Sequence, residues 1–439
     1  MPPSSAISGG QAAVKSASLN RSILALALPA IVANITTPLL SLVDIAIVGH
    51  LGSAAFVAAI AVGGSLFNMV YWLFGFLRFG TSGLTAQAYG RGDLYNQRLT
   101  ALRSMAIALA AGLLLILLQW PIGRLALALM DPDPPTRALA LTYFSILIYG
   151  APAVLLQYSL TGWFVGRQDT RSPMIVSLVV NVVNIGASLL LVYVAGLDIR
   201  GVALGTLIAQ WTGCLLALAM GRRLLMSRLS PSPRFTPGSI GDFFRINANI
   251  FLRTLCLIAV TIWFTRAGAA QGAVMLAVNT LLLQLFTLFS YFMDGFAFAA
   301  EALCGKYFGA GDSAGLRRCL RRFMLWGGAV AIIFTALYAL GGDALLRLLT
   351  DDLAVLNASR PYRLWAVAIP LAGFMAFTWD GIVIGLTQTR LMLWSMALAT
   401  ILYFALWTLL APALGNHALW LAFLAYLLAR GLLLPLWLL

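Results

Sequence analysis

Apolar runs recur along the whole chain, separated by short polar breaks. They predict helices near residues 22–48, 56–86, 98–118, 136–164, 173–194, 201–222, 245–266, 273–304, 318–340, 360–386, 392–411 and 417–437. Each is about as long as a bilayer crossing, which takes about 20 residues. The second and eighth runs exceed that length, so they tilt or protrude. The first run, Ser22 to Gly49, contains Pro29, Pro38 and one carboxylate, Asp44, and no basic residue. At about 100° per residue, Asn34, Thr37, Ser41 and Asp44 fall on one helix face. A carboxylate within a membrane is costly and usually faces a cavity where it serves ions or protons.

One sizeable break interrupts the series: RRLLMSRLSPSPRFTPGSIGDFF, basic and rich in Pro and Ser, in the middle of the chain. It reads as a linker between halves. The halves repeat: Gly90, Gly92 and Asp93 of YGRGD match Gly309, Gly311 and Asp312 of FGAGD. The same offset carries Gly162, Gly166, Thr170 and Arg171 onto Gly381, Gly385, Thr389 and Arg390. Six helices per half is an even number, so both halves enter from one side, and a pseudo-twofold along the membrane normal relates them. The predicted fold is therefore an all-α integral membrane protein with twelve transmembrane helices in two six-helix lobes. Its expected segments are a cytoplasmic tail (1–21), an N-lobe (22–223), a cytoplasmic linker (224–244) and a C-lobe (245–439).

Composition agrees with the pattern. Of 439 residues, 61% are hydrophobic and 10% charged, with a mean hydropathy of +0.93; soluble domains are near a quarter charged. The net charge of +14 does not point to nucleic acid, because the basic residues sit in the breaks between apolar runs. There they read as contacts to anionic headgroups and as topology signals. Most of the 28 lysines and arginines fall on the N-terminal side of the membrane, Arg430 counted among them, which places both termini in the cytoplasm of a cell (inner) membrane protein. The first twenty residues are polar, read as flexible, and contain no apolar core of a removable signal. Cys214, Cys256, Cys304 and Cys319 show no metal spacing and read as free and structural. His50 and His417 lie at loop edges without a partner that suggests a metal or a dyad. No cofactor or metal is expected, and the chain is expected to act as a monomer.

The polar residues inside the runs are the functional candidates. Asp44 lies in the outer half of helix one, at a depth different from Arg78 of helix two, so the two do not pair. The fifth run carries Ser177, Asn181, Asn184 and Ser188 on one face. They serve either interhelical bonding or, if helices one and five face each other, a cation held beside Asp44. In the second half, Gln284, Thr287, Tyr291, Asp294 and Glu301 lie on one side of helix eight, and Asp380 lies near the cytoplasmic end of helix ten. Arg253 matches Asp294 in depth, so a static Arg253–Asp294 ion pair, with Asp380 joining, is favoured over a second proton site. GRGD and GAGD are not phosphate loops: no strand precedes them and no GxxxxGK[ST] is present. The scattered Met and aromatic residues suit lipid contact, helix packing or an adaptable cavity.

The chain resembles the multidrug and toxin extrusion (MATE) transporters, in the branch of the DNA-damage-inducible protein F (DinF). The resemblance rests on LALPAIVANITTPLLSLVDIAIVGHLG, FLRFGTSGLTAQAYGRGD, YFMDGFAFAAEALCGKYFGAGD, WDGIVIG and LGNHALWLA, which span nearly the whole chain in order. It implies two six-helix lobes that open to one side at a time, exporting organic cationic or amphipathic compounds against inward H+ or Na+. It places Asp44 on the family's cation-binding acid, Pro29 on the proline about which helix one bends, and Asn184 on an amide beside the acid. Many relatives have a second acid one turn after that amide; here it is Ser188, which favours H+ over a full Na+ cage. The competing readings are a flippase for lipid-linked precursors, which would favour a strongly cationic cavity, and a membrane-embedded lipid-modifying enzyme, which would need clustered acids. A channel fits the repeat less well than alternating access.

Overall fold

The computed structural model describes residues 5–49, 54–130, 133–227 and 237–438; His50 and the middle of the Pro/Ser-rich linker lie outside them. All regular elements among these residues are helical. They are α1 (Ser5–Gly49), α2 (Ala54–Leu73), α3 (Phe76–Gly90), α4 (Leu94–Leu117), α5 (Gln119–Met130), α6 (Pro134–Leu147), α7 (Ala151–Gly166), α8 (Arg171–Leu189) and α9 (Asp198–Leu225). After the linker come α10 (Pro237–Ala269), α11 (Ala273–Gly309), α12 (Ser313–Leu349), α13 (Leu353–Ser359), α14 (Arg363–Gly385), α15 (Thr389–Leu414) and α16 (Asn416–Leu438). Twelve candidate spans, long and apolar enough to cross a membrane, arise from these, with α2–α3, α6–α7 and α13–α14 each counting as one.

Three features depart from the sequence reading. The N-terminal stretch read as a flexible tail is helical from Ser5 and continues into the first span. α5 is a short helix where only a break is expected; Arg124 lies 3.5 Å over the Trp120 ring one turn before it, and Trp120 and Leu125 are exposed, a pattern suited to headgroup depth. The long fourth span is interrupted by a 3-10 turn at Ile148–Gly150, just before Pro152 opens α7. Proline cannot donate to the preceding turn and is tolerated at a helix start.

The repeat motifs have a local cause. Gly92 and Gly311 adopt φ of 71° and 69°, and the next residues, Asp93 and Asp312, cap α4 and α12. The Asn96 amide donates to Asp93 Oδ1 at 2.9 Å, and that of Gly315 to Asp312 Oδ1 at 2.7 Å. A left-handed glycine ends one helix and an acidic cap starts the next. In the second motif the glycines are contact points. A Cβ on Gly166 would meet the Ser82 carbonyl and the Thr85 side chain at 2.6 Å, and one on Gly385 would meet the Glu301 carbonyl at 2.6 Å. Small residues four apart let α7 lie against α3, and α14 against α11.

The helices group into two compact units, Met1–Ile31 with Ala248–Leu439, and Val32–Asn247. α1 thus contributes to both. Its first part packs in the α10–α16 unit, where Gly295 sits against the Ile31 amide and the Ala27 carbonyl and Trp326 Nε1 donates to Asn20 Oδ1. The core of that unit is aromatic: Phe264 meets Trp420 at 5.0 Å and Phe289 meets Phe334 at 5.5 Å. Asn279 and Asn416 exchange amide bonds of 2.8 and 2.9 Å, and Trp420 Nε1 donates to Asn279. The four cysteines are free, and the His417 Nδ1 accepts from Trp365 Nε1 at 3.0 Å.

Candidate functional site

The second part of α1 lies along α8. Asn181 Nδ2 donates to the Thr36 carbonyl at 3.1 Å, the Thr36 and Ser177 hydroxyls are 3.1 Å apart, and Ser177 also reaches the Ala33 carbonyl. Near the other end of this seam, the Tyr193 hydroxyl donates to the Ile47 carbonyl at 3.0 Å. The polar face of the fifth run therefore meets helix one, through two of its four residues.

Asp44 sits between these ties. It is 6% exposed, and its Oδ1 is buried without a hydrogen-bond partner among the described residues. No lysine or arginine among the described residues forms an ion pair with it. The buried Tyr143 of α6 stands in electrostatic reach of it. Thr206 accepts from Asn184 Nδ2 at 2.8 Å and donates to the Val202 carbonyl at 3.0 Å. Asn184 Oδ1 and Ser188 Oγ are buried without partners among the described residues, and Ser188 is backed by Gly205, where a Cβ would meet its amide nitrogen at 2.7 Å. Asn184, Thr206 and Ser188 thus lie together along the buried α8–α9 seam, and among the described residues no ion pair involves Asp44. Such a carboxylate is more stable neutralised by a proton or a cation than bare.

Other candidates fall elsewhere. Asn34 is half-buried on α1; the side chains of Thr37 and Ser41 lie outside the described ones. Pro29 is half-buried within α1, two residues before the chain passes from one unit to the other. In the α10–α16 unit, Gln284 is exposed, Thr287 bonds back to the Leu283 carbonyl, Asp294 lies in electrostatic reach of Tyr291, and Glu301 is wholly buried. The charge network differs from the expected Arg253–Asp294 pair. Arg253 is joined to Asp380 of α14, and Arg430 of α16 reaches the same Asp380 Oδ2 at 2.7 Å. The partners of Arg253 and Arg430 meet because α14 and α16 pack side by side. Arg430, assigned to a cytoplasmic segment by the sequence reading, is 4% exposed in mid-helix and lies 5.2 Å from the Tyr426 ring.

Tyr143 and Thr206 escaped the sequence reading: neither sits on a polar stripe, and an isolated tyrosine in an apolar run has no periodicity. Arg430 was detectable, since it falls well inside the last apolar run.

The MatE family model matches residues 29–190 and again 247–409. The chain belongs to the MatE family. The double match follows the internal repeat, one copy per half. This MATE protein is 38% identical to DNA damage-inducible protein F of Escherichia coli (strain K12), over 94% of this chain and 91% of that one. It is 27% identical to Protein DETOXIFICATION 44, chloroplastic, of Arabidopsis thaliana, over 91% of this chain and 78% of that one. Its fold superposes on the Vibrio cholerae MATE transporter VcmN, solved as a mutant, with a TM-score of 0.86 at 18% identity, covering 96% and 97% of the two chains. It is thus a multi-pass membrane transporter of the multidrug and toxin extrusion family, and not an enzyme.

Proposed function

We propose that this transporter exports organic cationic or amphipathic compounds by alternating access, driven by inward H+, with Asp44 as the coupling acid. The observation that carries the reading is the buried Asp44 carboxylate, with one oxygen unpartnered and no cation against it. One proton moving inward across 100 mV releases about 2.3 kcal/mol. Coupling requires that the neutral and charged forms of Asp44 favour different shapes of the protein. The charged form favours a wet surrounding; the neutral form tolerates a closed one. Helix α1 transmits the difference, since it belongs to one unit up to Ile31 and to the other from Val32. Pro29 lacks the N–H that would brace the helix there, so bending is least costly at that point.

Asn184 and Ser188 serve as neutral partners of the cation. A single carboxylate with Ser188 one turn from Asn184 suits a proton better than a full Na+ shell. The partnerless oxygens of Asp44, Asn184 and Ser188 favour the second reading, Na+ coupling at the same site. The cargo class is supported by relatives such as human Multidrug and toxin extrusion protein 1, 26% identical over 74% of this chain. The reading places the transporter in the cell (inner) membrane as a monomer with both termini cytoplasmic. The test is efflux of a cationic dye panel from sealed vesicles, with pH and Na+ gradients imposed separately. A pH gradient alone should drive efflux, and Asp44→Asn should abolish the response. Unchanged proton-driven efflux in Asp44→Asn refutes the role of Asp44, and efflux driven by Na+ alone moves the assignment to the second reading.

A further inference from the structure

We infer that His417 is a proton-sensitive latch between the outer ends of α14 and α16, shut while its imidazole is neutral and open when the outer compartment turns acidic. Its outward placement rests on the reading above that both termini are cytoplasmic; the bond itself does not. The stretch LGNHALWLA leads into α16, and its amide and indole groups are engaged. Asn416 and Asn279 exchange amide bonds, Trp420 Nε1 donates to Asn279 Oδ1, and Gln271 Nε2 reaches Asn416 Oδ1 at 3.4 Å. None of these groups changes charge at physiological pH, so the tie of α16 to α11 is independent of pH. His417 is the titratable residue of the stretch.

Trp365, in the first turn of α14, donates Nε1–H to His417 Nδ1 at 3.0 Å. An indole nitrogen only donates, so the histidine must accept. A neutral imidazole has one bare nitrogen able to accept, and an imidazolium has none. Protonation of His417 and the Trp365 bond are therefore mutually exclusive. The Tyr362 ring lies beside the imidazole with centroids 4.6 Å apart, and an aromatic ring at that distance attracts a cation, so the released imidazolium keeps a neighbour. Histidine changes charge between about pH 5 and 8.

Among the described residues, the charged groups of these helix ends are engaged elsewhere or exposed. Arg363 lies along α12, where a Cβ on Gly342 would come 3.6 Å from its Nη2. Arg347, Asp351, Asp352 and Arg360 are exposed, and Asp352 caps α13. The last turns of α15, residues 407–414, contain no titratable residue. The α10–α11 turn brings the uncharged Gln271 and Asn279, with Arg266 over the Trp263 ring. The imidazole is thus the group through which proton concentration acts on the α14–α16 contact. Losing one neutral hydrogen bond shifts an equilibrium about 2- to 10-fold, and α14 is then held to α16 at this end by packing alone.

The test uses two variants that fix the latch. Glutamine at 417 can accept from Trp365 at every pH, and phenylalanine at none. Dye efflux from sealed vesicles is recorded for wild type, His417→Gln and His417→Phe while the pH on the outer face is varied between about 5 and 8. The wild-type rate should match His417→Gln at the alkaline end and rise about 2- to 10-fold relative to it, to the rate of His417→Phe, at the acidic end. Ratios taken at one pH cancel the driving force, so the outcome does not depend on H+ coupling. A wild-type rate in constant ratio to His417→Gln throughout is what a merely structural bond gives, and it overturns the latch. A step that follows the pH of the opposite face overturns the outward placement alone. Should either variant fail to fold, nitrogen-15 spectra of labelled histidine decide: the chain has two histidines, so His50→Gln leaves His417 as the reporter. Nδ1 should be the bare nitrogen at alkaline pH and gain a proton on acidification; a bare Nε2, or an imidazole that stays neutral down to about pH 5, overturns the proposal.

Discussion

Replacing Asp380 with asparagine should cost more stability than removing either of the arginines it holds. The side chains of Arg253, Asp380 and Arg430 are 9%, 13% and 5% exposed. Both guanidinium groups reach one carboxylate oxygen, so they lie about 5 Å apart or less. At an effective dielectric of 20, two like charges at ~5 Å repel by about 3 kcal/mol. With the carboxylate present, that repulsion is offset by two attractions; with an amide in its place, it stands alone. Breaking a buried ion pair by removing one partner costs roughly 3–5 kcal/mol, and two stranded cations place Asp380→Asn at the upper end. Arg430→Met instead leaves a balanced Arg253–Asp380 pair and loses mainly the contact with the Tyr426 ring, about 0.5–2 kcal/mol. The double variant Asp380→Asn/Arg430→Met removes the repulsion and should recover about 3 kcal/mol relative to Asp380→Asn alone. Thermal unfolding of the four proteins in detergent, followed by tryptophan fluorescence, gives the cycle. A double variant no more stable than Asp380→Asn, or an Asp380→Asn protein as stable as the wild type, refutes the view of this cluster as a charge-balanced clamp.

Gly166→Ala and Gly385→Ala should each destabilise their own helix crossing by about 1–3 kcal/mol through overpacking against backbone atoms, read as lower melting temperatures with unchanged helix content by circular dichroism. The exposed Asp133 caps α6 through the Thr136 amide, and the hydrogen bonds to Thr136 hold its carboxyl below the ordinary value of 3.8. Because the folded value is depressed, the cap is intact above pH 3.8 and is lost as the pH falls below it. The Thr136 amide should therefore lose its extra protection from hydrogen exchange in acid, and Asp133→Ala should show the unprotected rate at every pH.

The number of spans, their approximate ends and the repeat were legible in the sequence because each depends on local chemistry. A bilayer demands about 20 apolar residues whatever surrounds them, and a left-handed glycine followed by an acidic cap is a four-residue device that Gly92–Asp93 and Gly311–Asp312 display twice. Asp44 stood out for the same reason, as the one carboxylate in an apolar run. What the sequence could not supply is which helices meet. Asn184 was read on one face of α8 with Ser177 and Asn181, but its side chain bonds Thr206 of α9 and not α1, a partner that no spacing within α8 could name. Arg253 was expected opposite Asp294 from depth alone, with Asp380 joining, whereas its ion pair is with Asp380 of α14, which Arg430 of α16 shares. Tyr143 lies on an apolar stripe because a tyrosine ring packs like phenylalanine, and only its neighbours reveal that it stands near Asp44. In a membrane bundle, where apolar surface is uniform and does not select partners, the few polar side chains define the site, and their partners are written in tertiary structure.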